Sequence, residues 1–147
     1  MSNVDICALN HVTRTLIDSS RGYEMACEMV DENNIPLRRK LIDRAEERRR
    51  LVARCQSEVR ILGGDPETDG GMVGNIHRAF TRFSCLFQDD QHAAFRAIDD
   101  GEEFLIDDVE DKLKKPDLDR RTRQILEAIC ECAREGEDFA HKLAKAA

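Results

Sequence analysis

Four long amphipathic segments separated by breaker-rich connections predict an all-α fold, a four-helix bundle built from antiparallel helical hairpins. Three observations carry this. Apolar residues recur at three- and four-residue steps through each segment, which lays them along one face of a helix. The 147 residues include only three Pro and eight Gly, most of the latter in one stretch. The chain is also 41% hydrophobic and 36% charged with no Trp, a balance that suits helices with one buried and one solvated face. Residues 1–147 are expected to form a single domain, because this length buries a hydrophobic core without staples.

The first helix is expected over about 4–31, on the stripe Leu9, Val12, Leu16, Tyr23, Cys27 and Val30, which Ser19 and Ser20 interrupt with small polar groups. Asp31-Glu32-Asn33-Asn34 breaks the pattern. Pro36 then suits the first turn of a second helix, where its missing N–H costs nothing. So short a connection makes the two helices antiparallel neighbours.

The second helix, about 36–62, follows Leu37, Leu41, Ala45, Val52, Cys55, Val59 and Leu62. Arg48 falls in the middle of this stripe and Arg44 near it. Glu46, Glu47, Arg49 and Arg50 fall on its flanks or outer side, where Glu46 and Arg50 form an i,i+4 pair worth about 0.3–0.5 kcal/mol. Gly63-Gly64-Asp65-Pro66 stops the helix, and the loop runs through Gly70-Gly71. No strand precedes it and no Lys-Ser/Thr follows, so it is not a phosphate loop. A short crossover helix is expected over about 72–87, with Val73, Ile76, Phe80, Phe83 and Phe87 on one side.

Asp89-Asp90 can cap a third long helix, about 90–114, on Phe95, Ile98, Glu102, Leu105, Ile106, Val109 and Leu113. Glu102 is again a charge at the centre of an apolar stripe. Lys115-Pro116-Asp117 ends this helix, and the last runs over about 119–145 on Ile125, Ile129, Cys132, Gly136, Ala140 and Leu143. Small residues dominate its middle, which gives a long side chain from another helix room to reach the axis.

A formal charge of -7, with basic residues interleaved among acids, argues against a nucleic-acid partner, since phosphate contacts need a clustered positive surface. No apolar run approaches the roughly 20 residues that span a bilayer, and no signal core opens the chain, so no membrane association and a cytoplasmic location are expected. Six cysteines in a reducing compartment read as free thiols, buried or half-buried as small hydrophobes. Cys130-x-Cys132 lacks the spacing of the common redox motif; these two are the candidates for the rival reading of a thiol redox sensor.

Two isolated opposite charges on two apolar stripes most simply meet. An Arg48–Glu102 contact is therefore expected, with Tyr23 or the Ser19 and Ser20 hydroxyls completing the hydrogen bonding; the alternative is that either side chain reaches a groove and bonds water. A di-metal carboxylate centre in a bundle needs one Glu from each of two helices and a Glu-x-x-His from each of the other two. Here those places read Glu46-x-x-Arg49, Glu47-x-x-Arg50 and Glu131-x-x-Arg134, and Asp138-x-x-His141 stands near the last helix's end. A guanidinium stays protonated and repels a metal ion. The histidines, His11, His77, His92 and His141, share no helical face. No metal is expected, and the weaker alternative places iron or manganese on Glu24, Glu47, Glu102 and Glu131. No general acid/base pair and no activated nucleophile can be assembled either.

Leu9-Asn10, Gly22-Tyr23-x-x-Ala26, Ala45-Glu46-Glu47-Arg48, Leu62-Gly63-Gly64-Asp65-Pro66, His77-Arg78 and Gly101-Glu102 occur in this order over nearly the whole chain. Together they resemble an uncharacterised bacterial family of ferritin-like four-helix-bundle proteins, a domain of unknown function. The resemblance implies a ferritin-like bundle with a crossover between the second and third long helices, and makes Arg48 and Glu102 characteristic positions. The chain departs from the family's pattern in carrying Ser20 where a carboxylate is frequent, Phe80 near a Trp position and Glu137-Asp138 in place of His-Asp, so a metal site would be poorer here. A fold name supplies no reaction. The expectation is a non-catalytic, metal-free structural or interaction protein, with stress physiology as one setting, forming a homodimer and meeting an unknown protein partner. The rivals are a metal-binding carboxylate protein, either an oxidoreductase or an iron-handling relative, and the thiol redox sensor.

Overall fold

The computed structural model describes residues 3–70 and 91–146. Among them are four long helices: α1 (Asn3–Met29), α2 (Ile35–Ile61), α3 (Gln91–Leu113) and α4 (Arg120–Lys145). There is no strand among the described residues. The expected crossover helix at 72–87 lies outside them.

The ends of the helices follow local chemistry. Asn34 caps α2 through its side-chain oxygen, which accepts from the Leu37 amide, and Pro36 occupies the first turn. At the other end Gly63 adopts φ +86°, a left-handed conformation that suits glycine; its amide bonds the Arg60 carbonyl and the Gly64 amide bonds Val59. This double closure turns the chain sharply against α1, where a Cβ on Gly64 would stand 2.9 Å from the Ile6 side chain. Asp119 caps α4, and its own amide is held by Asp5 from the start of α1 at 2.8 Å, so the first turns of α1 and α4 are tied together.

Tertiary pairings fix the direction of each helix. Late α1 meets mid α2 through Glu24 and Arg49, while early α1 meets the segment after α2 through Asn10 and the Asp65 carbonyl. His11 contacts Lys112 and Tyr23 contacts Glu102, so α3 also runs against α1. Glu58 pairs with Arg121 and Arg44 with Glu135, so α4 runs against α2. The order is up, down, down, up. The end of α2 and the start of α3 therefore lie at opposite ends of the helices.

Packing is closest within the pairs α1/α2 and α3/α4 and along α1/α3, while α2 and α4 touch sparsely. Two apolar clusters fill the interior. One gathers Leu9, Val12, Leu16, Cys55, Val59, Leu105, Val109, Leu126 and Ile129; the other gathers Tyr23, Ala26, Leu41, Ala45, Ala94, Phe95, Ile98 and Ala140. The sequence positions between them are Ser19 on α1, Arg48 on α2, Glu102 on α3 and Gly136 on α4. These four residues form a polar layer halfway along the core.

Candidate functional site

The layer is built around Arg48, whose side chain is 0% exposed and faces a Glu102 side chain that is 1% exposed. Its Nη2 donates to Glu102 Oε2 and, at 3.3 Å, to the Cys132 carbonyl. Nη1 donates to Cys132 Sγ at 2.7 Å, and Nε donates to Ser19 Oγ at 3.2 Å. On the carboxylate, Tyr23 Oη donates to Oε2 at 2.9 Å and Ser19 Oγ donates to Oε1 at 3.3 Å. The guanidinium carbon also lies 5.6 Å from the centre of the Tyr23 ring, over its face. Every nitrogen of the guanidinium and both carboxylate oxygens thus have partners, which a buried ion pair requires.

Ser20 takes no part. It is one residue off the inward direction and turns its hydroxyl back to the Ile17 carbonyl at 2.8 Å. Gly136 leaves the space the cluster needs: a Cβ there would stand 2.5 Å from Arg48 Nη2 and 2.7 Å from Tyr23 Oη, and would collide with Glu102 Oε2. The small-residue run of α4 signals such room, but which side chains would use it is not written in periodicity.

Burial and pairing oppose each other here. Burial raises the Glu102 carboxyl above the ordinary carboxylate range, while Arg48, Tyr23 and Ser19 pull it back. For Arg48, burial acts to lower the pKa, but Glu102, Tyr23 and Cys132 together carry it above its ordinary value. Burial, then Glu102, raises the Tyr23 phenol, which keeps its proton and remains a donor. The guanidinium is charged throughout.

The carboxylates weighed for a metal are not brought together. Glu24 is engaged by Arg49, Glu47 by Arg44 at 3.1 Å, and Glu102 by Arg48, while Glu131 sits on the exposed side of α4. No group of three or more His, Cys, Asp or Glu could hold a metal ion among the described residues. His141 lies 3.0 Å from Asp99, and His92 stacks edge-on against Phe95; His77 lies outside the described residues. His11, to which the helical pattern assigns no role, joins a second α1–α3 cluster: Lys112 Nζ lies 2.6 Å from His11 Nδ1 and 2.7 Å from Asp108 Oδ1.

Cys130 is buried, Cys132 half-buried, and burial raises both thiols above their ordinary value. Two positions apart on a helix, they do not face each other. Cys27 and Cys55 are buried too. Cys7 corrects the expectation of buried or half-buried thiols: it is exposed, because it projects from the side of α1 away from Leu9, Val12 and Leu16.

A family model for a domain of unknown function, DUF2383, matches residues 5–115. The chain belongs to the DUF2383 family. Neither the curated proteins nor the solved structures yield a match. The DUF2383 match includes Ser19, Tyr23, Arg48 and Glu102 and ends before α4, which supplies Cys132 and Gly136.

Proposed function

We propose that this DUF2383 protein is a ferritin-like bundle that acts as a non-catalytic structural or protein-interaction module, with the Arg48–Glu102–Tyr23 cluster as an internal lock in place of a metal centre. The observation that carries this reading is the saturation of the central layer: the one cation and the one carboxylate deepest in the core are spent on each other, on Tyr23, on Ser19 and on Cys132. The up, down, down, up order supports the ferritin-like assignment. The donor set does not fit a metal, because the guanidinium stands among the inward-facing side chains where carboxylates would have to converge, and Glu24 and Glu47 already hold arginines. The raised thiols of Cys130 and Cys132 weigh against a redox sensor, which needs an accessible thiolate.

The test is elemental analysis of protein made without a chelating tag, followed by anaerobic titration with ferrous iron and with manganese. No saturable binding is expected. Near-stoichiometric binding of either ion would overturn the reading in favour of a metal-handling protein. The proposal extends to a cytoplasmic homodimer, supported by Ile35 and Ile42, which lie two turns apart on one face of α2 with 64% and 38% exposure. Light scattering should give twice the 16.8 kDa chain mass, and the monomer mass for Ile42→Glu.

A further inference from the structure

The outer seam between α1 and α3 holds a titratable cluster that the central lock does not use. Lys112, in the last turn of α3, has a side chain only 10% exposed, and that of Asp108, one turn before it, is 14% exposed. His11 of α1 stands against both with 52% of its side chain in solvent. The contacts locate the ring proton. An ammonium has three donors and no lone pair, so Lys112 Nζ at 2.6 Å makes His11 Nδ1 an acceptor and leaves the proton of the neutral ring on Nε2. Lys112 also donates to Asp108 Oδ1 at 2.7 Å. The other carboxylate oxygen, Oδ2, lies 3.3 Å from the same ring nitrogen and is buried without a hydrogen-bond partner among the described residues. Two acceptors therefore face each other, and a buried acceptor left without a donor is unfavourable.

A single proton on Nδ1 reverses that arrangement. We propose that His11, Asp108 and Lys112 form a proton-operated latch across the α1–α3 seam. With the ring neutral, Nδ1 accepts from Lys112, and the ammonium is clamped between the ring and Asp108 Oδ1. When Nδ1 takes a proton from solvent it becomes a donor and satisfies Asp108 Oδ2, which already lies within reach. The ring is then a cation, so Lys112 has to withdraw from it, and its flexible stem carries the ammonium toward water. Asp108 thus joins the helices in both states, while Lys112 is held in only one. The other charged and titratable groups around the seam, among the described residues, are directed elsewhere. On α1, Arg14 pairs at 3.6 Å with Glu67 from the segment after α2, Asp5 holds the Asp119 amide, and Cys7 is exposed. The α2 helix pairs with α1 further along, Arg49 with Glu24, and α4 turns Arg123 to the Leu113 and Lys115 carbonyls. On α3, Glu110 holds Arg134, and Asp107 and Asp111 are exposed.

The experiment follows the His11 ring nitrogens and Lys112 Nζ by nitrogen NMR of the full labelled chain, from about pH 8 to about pH 5, the range in which histidine changes charge. At the alkaline end Nδ1 should be bare and Nε2 protonated. Through the His11 transition Nδ1 should gain its proton, and the Lys112 Nζ resonance should move with the same midpoint. His11→Gln keeps an acceptor for Lys112 but takes up no proton, so the Lys112 step should vanish while the amide spectrum of the rest of the chain is unchanged. Acylation of Lys112 by an activated ester, read by peptide mapping, gives a second measure. At the acid end it should be about tenfold faster in wild type than in His11→Gln, the factor for loss of one charge-assisted hydrogen bond, and equal in the two at the alkaline end. A neutral ring protonated on Nδ1, a Lys112 resonance that stays still through the His11 transition, or a Lys112 step that persists in His11→Gln would overturn the latch. Equal acylation of the two proteins at the acid end would also overturn it.

Discussion

Arg48 and Glu102 join two helices whose backbones make no close approach, α2 and α3, across the diagonal of the core. Both charges are sealed, so each depends on the other. Arg48→Met should cost about 3–5 kcal/mol in denaturant unfolding, because it strands Glu102 in an apolar layer. The double substitution Arg48→Met with Glu102→Met should recover most of that loss, since an apolar pair needs no compensation. A single-variant loss under about 1 kcal/mol would mean that the pair is not isolated from water. The pH dependence has a definite sign. Without Arg48, burial still raises the Glu102 carboxyl and its main opponent is gone. A folded-state pKa above the unfolded value makes stability fall as pH rises through it, so the deficit of Arg48→Met should shrink on acidification.

Gly136 and Gly101 should respond to alanine with opposite signs. In an exposed helix the change gains about 1 kcal/mol, and nothing lies within 4 Å of a Cβ at Gly101. At Gly136 the new methyl meets Glu102, Arg48 and Tyr23 at once, which should outweigh the propensity gain and leave a net loss of about 1–3 kcal/mol. Equal effects in thermal or denaturant unfolding would remove Gly136 from the account of the layer.

Residues that break a pattern were the legible ones. Arg48 and Glu102 stand out because they interrupt apolar stripes, Ala45, Leu51 and Val52 around the one and Ile98, Leu105 and Ile106 around the other, and Asn34 with Pro36 marks a helix start by backbone chemistry alone. Features that depend on two distant segments meeting were not. Asp5 reads as an ordinary acid in a first turn, yet it is 3% exposed and holds the Asp119 amide. Glu58 sits beside Val59 among charged neighbours, and nothing local says that α4 will approach loosely enough to leave a groove there. Ser19 and Ser20 are equivalent in composition; the 3.6-residue period separates them by about 100°, which sends one hydroxyl to Arg48 and the other to its own helix.

Thiol exposure gives a direct check on how the helices are rotated. In a Cys85→Ser background, one equivalent of thiol should react rapidly with an aromatic disulfide reagent in the native protein, and Cys7→Ser should abolish that phase. Cys27, Cys55 and Cys130 should react only on the timescale of opening, and half-buried Cys132, whose Sγ accepts from Arg48, should react in a phase slower than that of Cys7. Rapid labelling of Cys55 or Cys130 would require a different packing of α2 or α4.

Cys55 should also leave a mark on the alkaline limb of stability. Its side chain is fully buried against the α1 stripe, and burial pushes the thiol up to about 11, with Thr13 and Arg54 pulling the other way. An unfolded thiol ionises near its ordinary value of 9.0. Between the two values the unfolded chain has lost the proton while the folded chain keeps it, so the stability this group contributes is intact below about pH 9 and is lost as pH climbs through about 11. The full effect is about 2–3 kcal/mol. Wild type and Cys55→Ala should therefore differ most at neutral pH, where the variant carries only the cost of its cavity, and converge by that amount across the alkaline window. A gap that stays constant from pH 8 to 11 would show that the Cys55 thiol ionises as readily inside the core as outside it.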